Sequence, residues 1–485
     1  MNRFTQTAAP LLLSLLAALI LAACSTTPEL KQPLLTTPAA FKEAQQPVLA
    51  ADGTQWRVAQ PAEAQPRGEW WLAFHDPELT AMIDQATAAN ASLAVAAARV
   101  KQARALAGVA ESDRGIQAGV GVGAQRGRAS TLSLGLPDGA AVAPVTAYQA
   151  KLSASYEVDL FGRVGAGVSA AQADASASGA TYKSVLLALQ ADVAQTYFRI
   201  RALDAEQSTL ARNVDLRFQS VKVSQSRFDN GDIGEFDLVR AKAELAAARF
   251  EAIGVERQRV QLEHALAVLL GKPAAVFSAA ANPLLEVAML PSIPAGLPSK
   301  LLERRPDVVA AQRAMVASNA RIGVARSAMF PALTLSASGG GEAGALSNVL
   351  QWSTRSWVLG ALMSMPIIDG GRNKANIARS EAVLEESVAA YRQNVLVAFA
   401  EVEDNLAGLR ILARQSEQAE AGVVLARRSS DLAQKLYGAG RSSYLDLLDA
   451  QRNLAGVERS AAQLRGSQAV TTVALIRSLG GGWEN

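Results

Sequence analysis

The chain has 485 residues, half of them hydrophobic, with 47 basic against 44 acidic side chains and a formal net charge of +3. Its one cysteine excludes an internal disulfide scaffold, and one cysteine with two distant histidines excludes the usual zinc constellations. Balanced charge argues against a nucleic-acid-coating protein, and 5% aromatics is thin for a compact core of this size but suits long, alanine-rich helices.

Met1 to Pro10 is short and polar with one basic residue, Arg3, and Leu11 to Leu21 is apolar except for Ser14. That run falls short of the ~20 apolar residues a spanning helix needs, and has the length of a secretory h-region. Leu21-Ala22-Ala23-Cys24 resembles the bacterial lipobox. In such signals cleavage precedes the cysteine, whose thiol receives a diacylglycerol. The expectation is a signal peptide over 1–23 and lipidation of Cys24 by a diacylglycerol and an N-acyl chain, with no other cofactor. The alternative is an ordinary signal peptide that happens to end near a cysteine. Ser25 stands where an aspartate would suggest inner-membrane retention, so the resemblance implies the outer membrane. Residues 24–66, rich in Pro, Thr, Ala and Gln, read as an acylated, extended tether.

Four segments then alternate like strands. The first, about 115–127, places Ile116, Ala118, Val120 and Val122 on one face. The second, 148–160, puts Tyr148, Leu152, Tyr156 and Val158 on one face and Gln149, Lys151, Glu157 and Asp159 on the other. Strict period-2 alternation marks a strand with one apolar and one wet face. A charged face would be ruinous in lipid but suits an aqueous lumen. The third covers about 332–340 and the fourth 355–368, where Trp357, Leu359, Ala361, Met363, Met365 and Ile367 share a face. The links near 127–147 and 339–354 would be outer loops. A soluble sheet or sandwich is the competing reading.

Proline is absent from 145 to 272 and from 367 to 485, and costs ~3 kcal/mol inside a helix. Each stretch predicts a very long helix, 162–229 and 371–437, then a break and a shorter helix, 235–270 and 444–479. The breaks are Asn230-Gly231-Asp232 and Gly438 to Ser443. A continuous helix from Gly162 to the first break would reach ~100 Å at 1.5 Å per residue, so it needs partners along its length. In 444–479, Leu447, Ala450, Leu454, Val457, Ala461 and Leu464 alternate spacings of three and four, a coiled-coil-like seam or an ordinary amphipathic face.

The chain also repeats. Gly162-Arg163 matches Gly371-Arg372 at a spacing of 209 residues, which also pairs Gly231 with Gly440 and Asp237-Leu238 with Asp446-Leu447. A spacing of 215 pairs Gly108-Val109-Ala110 with Gly323-Val324-Ala325. The organisation expected is two tandem repeats, 67–272 and 307–485, joined by a linker over 273–306. Four strands cannot close a transmembrane barrel, which needs at least eight, so strands must come from further copies. Two copies would supply eight and three would supply twelve, and a wide lumen continuous with long helices favours three.

Several stretches together resemble the TolC-like outer membrane efflux proteins, in the lipoprotein branch typified by OprM and NodT. They are Trp70-Trp71 to Phe74 with Asp76-Pro77-Glu78-Leu79, Tyr156 to Arg163, Arg304 to Val308, Phe330-Pro331, Ile368 to Arg372, Tyr437 to Asn453, and Gly480 to Trp483. The resemblance spans nearly the whole of 24–485. It implies an α+β membrane protein: a homotrimeric channel with a twelve-stranded transmembrane β-barrel, four strands per chain, continuous with a long periplasmic α-helical barrel. The implied partners are a periplasmic membrane-fusion adaptor, an inner-membrane pump such as a proton-driven transporter of the RND type, and outer membrane lipid, with no nucleic acid. The implied function is passive conduction of drugs or other solutes to the exterior, without catalysis. Alternatives are a duct for metal efflux or type I protein secretion, or a non-conducting periplasmic scaffold of coiled coils.

The resemblance further implies a periplasmic gate at Asp449 in Leu447-Leu448-Asp449, with Leu448 beside it and Asp446 one turn earlier. It implies a tip latch between Asp237 and Tyr437. Arg441 precedes Ser442, where some members carry an arginine, so the ionic half of the latch departs from the pattern. Asp446 and Asp449 also fit a solvated first turn, where acids favour the helix dipole. Gly119, Gly121 and Gly123 have no Walker lysine, and His75 and His264 have no neighbouring ligands in sequence. No catalytic or metal-binding motif appears.

Overall fold

The computed structural model describes residues 26–30, 33, 41–43, 68–137, 139–284, 290–291 and 304–481. The expected signal peptide, Cys24, most of the tether, part of the 273–306 linker and Trp483 lie outside the described residues.

A short 3-10 turn, Trp70–Phe74, leads into α1 (Pro77–Ala89) and α2 (Ala91–Ser112). The strands β1 (Gln117–Gly127) and β2 (Val145–Val158) follow, then the long α3 (Arg163–Asp229) and its return helix α4 (Glu235–Leu269). The second half has α5 (Pro306–Ser327), β3 (Ala332–Ala343), β4 (Arg355–Ser364), the long α6 (Arg372–Gly438) and its return helix α7 (Tyr444–Ser478). The long helices are both 67 residues and the return helices both 35. Their ends coincide residue for residue at a spacing of 209, and those of α2 and α5 at 215. The glycines and caps that stop each helix therefore recur at the same places in both halves.

The sheet has the order β1-β2-β3-β4, every pair antiparallel. The register is set so that most apolar positions share one face, although Val358 and Leu362 of β4 lie beside Ser338 and Thr334 on the other. Val120 lies opposite Leu152, Tyr156 opposite Leu335, and Leu335 opposite Ala361. A slip of one residue would turn each apolar row to the polar side. The apolar face is uncovered: Val120 is 76% exposed, Leu359 71% and Met363 60%. A patch of this kind marks a surface that meets lipid or a partner.

The strand ends differ from the sequence reading for identifiable reasons. β4 stops at Ser364 rather than 368, because Pro366 has no N–H for a ladder. β2 begins three residues earlier, at Val145, and ends at Val158 rather than 160. Asp159 leaves the strand to cap α3, accepting hydrogen bonds from the backbone N–H of Val164 (3.1 Å) and Gly165 (2.7 Å). β3 runs on through Gly339-Gly340-Gly341 to Ala343, where an outer loop was expected. A Cβ at Gly340 would overlap the Ala150 carbonyl, so glycine admits the close backbone approach that extends the strand.

The chain divides into two compact units. One contains the sheet with residues 99–178 and 310–391, and here the first described residues dock: the Thr26 hydroxyl donates to the carbonyls of Phe161 (3.0 Å) and Gly323 (2.9 Å). The other contains residues 35–98, 179–309 and 392–485 and holds most of the core. There Val193 and Phe198 of α3, Val402 of α6 and Val473 and Ile476 of α7 are buried. Leu79 and Ile83 of α1 are buried in the same unit, and Trp70, Phe74 and Phe198 form a chain of ring contacts. Asp76 caps α1 through one carboxylate oxygen and accepts from Tyr197 and Arg201 (both 2.8 Å) through the other. Burial, then the bond to Asp76, pushes the Tyr197 phenol well above its ordinary value.

Candidate functional site

Two places carry the chemistry: the polar face of the sheet and the breaks between the long and return helices. On the polar face, Gln149, Lys151, Ser153 and Ser155 of β2 run beside Thr334, Ser336 and Ser338 of β3. Lys151 Nζ lies 3.6 Å from Glu342 on the same face. Glu157 accepts two hydrogen bonds from Arg163, at 2.6 and 2.5 Å, tying the end of β2 to the first residue of α3. The sequence placed Lys151 and Glu157 on the wet face, but could not pair them before the register was known.

The two breaks share one stop. Past α3 the N–H groups of Gly231 and Asp232 donate to the carbonyls of Phe228 (2.9 Å) and Arg227 (2.8 Å). Past α6, Gly440 and Arg441 repeat this with Tyr437 (3.0 Å) and Leu436 (2.8 Å). Gly231 and Gly440 have φ of +79° and +70°, a conformation that favours glycine. The restarts differ. Gly234 precedes α4 with no side-chain cap, whereas Ser443 opens α7 in a capping box. Asp446 N–H donates to Ser443 Oγ (3.2 Å), and Asp446 Oδ2 accepts from Ser443 N–H (3.0 Å) and Oγ (2.8 Å). The Asp446 carboxylate thus fastens the first turn of its own helix. Asp449, one turn on, is exposed, and its charge acts on Arg452.

Behind these acids lies a small core of Ala241, Tyr437, Tyr444, Leu447 and Leu448. Leu448, expected beside the gate, is fully buried in the single chain as part of this core. Tyr437 is buried too, with its ring 5.8 Å from that of Tyr444 and the Arg227 guanidinium 5.0 Å above it. The expected Asp237–Tyr437 bond is not formed within the single chain among the described residues: the Tyr437 hydroxyl meets Ser224 Oγ at 3.5 Å. Asp237 sits in the first turn of α4, where an acid complements the helix dipole. Arg441 is exposed, bonding only through its backbone N–H among the described residues.

Other charged groups here escaped the sequence reading. Arg217 is buried and donates to Gln451 (3.1 Å), and burial lowers its pKa. Burial likewise raises the pKa of Tyr444. Arg452 and Arg459 of α7 pair with Glu244 and Glu251 of α4, and Arg459 also reaches Glu206 of α3. Both arginines and both glutamates of the α4 pairs are seven residues apart, a spacing legible as one heptad once the helices are known to adjoin. Among the described residues, no group of three metal-ligating side chains converges, and no helix is long and apolar enough to cross a membrane.

Comparison with known proteins places this architecture. The profile of the outer membrane efflux proteins matches residues 82–272 and 297–481. The pyoverdine export outer membrane protein OpmQ of Pseudomonas aeruginosa is 32% identical over 98% of this chain and 97% of its own length. The toluene efflux pump outer membrane protein TtgI of Pseudomonas putida is 32% identical over 97% of this chain and 98% of its own. The solved outer-membrane channel OprN superposes with a TM-score of 0.85 at 26% identity, covering 95% of this chain and all of OprN. The chain belongs to the outer membrane efflux protein family.

Proposed function

We propose that three copies of this chain form the outer membrane duct of a tripartite efflux system. Each copy supplies four strands to a twelve-stranded barrel and two helix pairs to a periplasmic tunnel. The observation that carries this reading is the sheet itself, which has one apolar face, one polar face and two open edges, β1 and β4. In lipid, an open edge leaves backbone N–H and C=O groups unpaired at several kcal/mol each, so β1 and β4 must close against further copies. The polar face then lines the passage, and the apolar face meets the acyl chains.

In this reading an adaptor and an inner-membrane pump, of the proton-driven type, feed the tunnel. The duct conducts passively. OpmQ and TtgI are named for pyoverdine and toluene, chemically unlike cargoes, which supports cargo selection by the pump rather than the duct. Acyl chains on Cys24 add an anchor of about 0.8 kcal/mol per buried CH₂. Asp449, exposed beside the second break, is the acid best placed to bring three like charges together around a narrow axis and to favour cations there.

Single-channel conductance in a planar bilayer tests the proposal. Small, cation-selective currents from the purified trimer that grow in Asp449→Ala are expected. A verified trimer that carries no current, alone or with that substitution, would reject the duct.

A further inference from the structure

On the apolar face of the sheet, the strand register places two charges. They are Arg126 on β1, opposite Thr146, and Arg355 on β4, opposite Gly341. Every other residue that these four strands place on that face is uncharged. Both arginines are exposed, and among the described residues neither has an acidic partner. Both lie at the same end, beside the links that follow β1 and precede β4. The opposite end of the face, at Ala118, Val158, Leu333 and Met363, carries no charge.

This placement has a physical cost that sets a depth. An arginine on the lipid face of a barrel costs ~2–4 kcal/mol at the bilayer midplane and ~0–1 near the interface. From Arg126 back to Ala118, and from Arg355 on to Met363, each strand advances eight positions, ~27 Å of chain at ~3.4 Å per step. At a tilt near ~40° that is ~20 Å of depth, close to the ~25 Å apolar band of such barrels. The arginines therefore mark one boundary of the hydrocarbon, the one away from the long helices.

Arg355 is also preorganised. Its guanidinium carbon lies 4.2 Å from the centroid of the Trp352 ring. The ring contact restrains the planar guanidinium, whose fork can grip a phosphate through two parallel N–H···O bonds. Trp352 is 80% exposed, leaving indole surface for a sugar ring.

We propose that Arg126, Arg355 and Trp352 form a binding site for the phosphorylated sugar headgroup of a glycolipid in the outer leaflet, of the lipid A class. The inference rests on the barrel reading above. If β1 of one copy pairs with β4 of the next, each junction gathers one Arg126 and one Arg355, giving three sites per trimer. The glycolipid then neutralises charge at the seam between copies and braces the barrel where no covalent link exists.

The test uses the full-length trimer extracted in mild detergent from outer membranes, with bound glycolipid counted by native mass spectrometry. The wild type is expected to retain up to three molecules per trimer. Arg126→Gln/Arg355→Gln should retain at least tenfold less while remaining trimeric. Arg355→Lys, which keeps the charge but loses the fork, should fall between and guards against a misfolded double variant. Delipidated trimer should rebind lipid A but not its dephosphorylated form, and phosphatidylglycerol should not displace it. Equal retention by wild type and double variant overturns the site, as does equal binding of dephosphorylated lipid A or displacement by phosphatidylglycerol. A wild-type chain that does not fractionate with the outer membrane overturns the barrel reading and this inference with it.

Discussion

Arg452 of α7 grips Glu244 of α4 through both its Nε and Nη2 atoms, and one heptad further along both helices Arg459 grips Glu251. The two rungs tie together the return helices of the two halves of the chain. They are not equivalent. Arg452 and Glu244 pair at the surface, where an ion pair contributes ~0.2–1 kcal/mol. Arg459 also neutralises Glu206, whose side chain is 5% exposed and whose other side-chain hydrogen bonds among the described residues come from Gln463, both at 3.3 Å. Arg459→Leu leaves that carboxylate buried without its cation and should cost ~3–5 kcal/mol, against ~1 kcal/mol or less for Arg452→Leu. Calorimetric melting of the detergent-solubilised protein checks the ranking, and similar losses for the two variants would refute it.

These rungs show what a sequence discloses and what it withholds. The helix ends were legible because proline, glycine and capping residues act locally: Gly231 and Gly440 stop their helices wherever the helices pack. The strand faces were legible from alternation, as with Tyr148 to Val158. Which side of a helix is covered was not. Leu447 follows from the coiled-coil spacing, but Leu448, ~100° further round the helix, is buried only because α7 is packed on more than one side. The partner of Tyr437 within the chain was illegible for a similar reason. A motif fixes the turn on which a hydroxyl sits, and the neighbouring helix decides whether Ser224 or Asp237 meets it.

The acids at the start of α7 should separate cleanly. Asp446 closes a capping box, so Asp446→Ala removes an acceptor for the Ser443 N–H and should cost ~1 kcal/mol of stability. Asp449→Ala should leave the melting temperature nearly unchanged and alter cation selectivity. Measuring melting and reversal potential on both variants distinguishes a cap from a lining charge. A stability loss confined to Asp449→Ala would reverse the assignments.

Tyr437 stabilises the tip through its ring more than its hydroxyl. Its bond to Ser224, at 3.5 Å, is at the limit of a hydrogen bond, whereas the ring is buried against Tyr444 and beneath Arg227. Tyr437→Phe should therefore cost under ~1 kcal/mol, and Tyr437→Ala ~3–5 kcal/mol. Uptake of large antibiotics by cells carrying each variant at equal abundance provides the readout. Leakage as strong with phenylalanine as with alanine would restore the hydroxyl to the leading role.

Acid sensitivity should arise at Asp307. Burial alone would raise its carboxyl pKa, but hydrogen bonds from Arg305, at 3.1 and 2.6 Å, outweigh it and hold the pKa below the usual range. Because the folded value is depressed, the contribution is present in full above the unfolded value of about 3.9, and is lost as pH falls through the folded value. Asp307→Asn should lower the melting temperature at pH 6 and converge with the wild type towards pH 2. A difference that stays constant across that window would place the stabilisation elsewhere.

Gly466 marks a close approach of α7 to α3, since a Cβ there would overlap the Cβ of Ala202. Two effects oppose each other in Gly466→Ala. Helix propensity favours alanine by ~1 kcal/mol, and overpacking a close-packed contact costs ~1–3 kcal/mol. The overlap is between two side-chain roots that no rotamer change can relieve, so the clash should win and the single variant should be destabilised. Ala202→Gly alone loses the propensity term and leaves a small void. The double variant Ala202→Gly/Gly466→Ala moves the methyl from one helix to the other, restores the separation and should recover most of the stability. A double-mutant cycle on melting free energies is expected to give a coupling of at least ~1 kcal/mol. Additive losses would mean that the two helices part at this contact instead of resisting it.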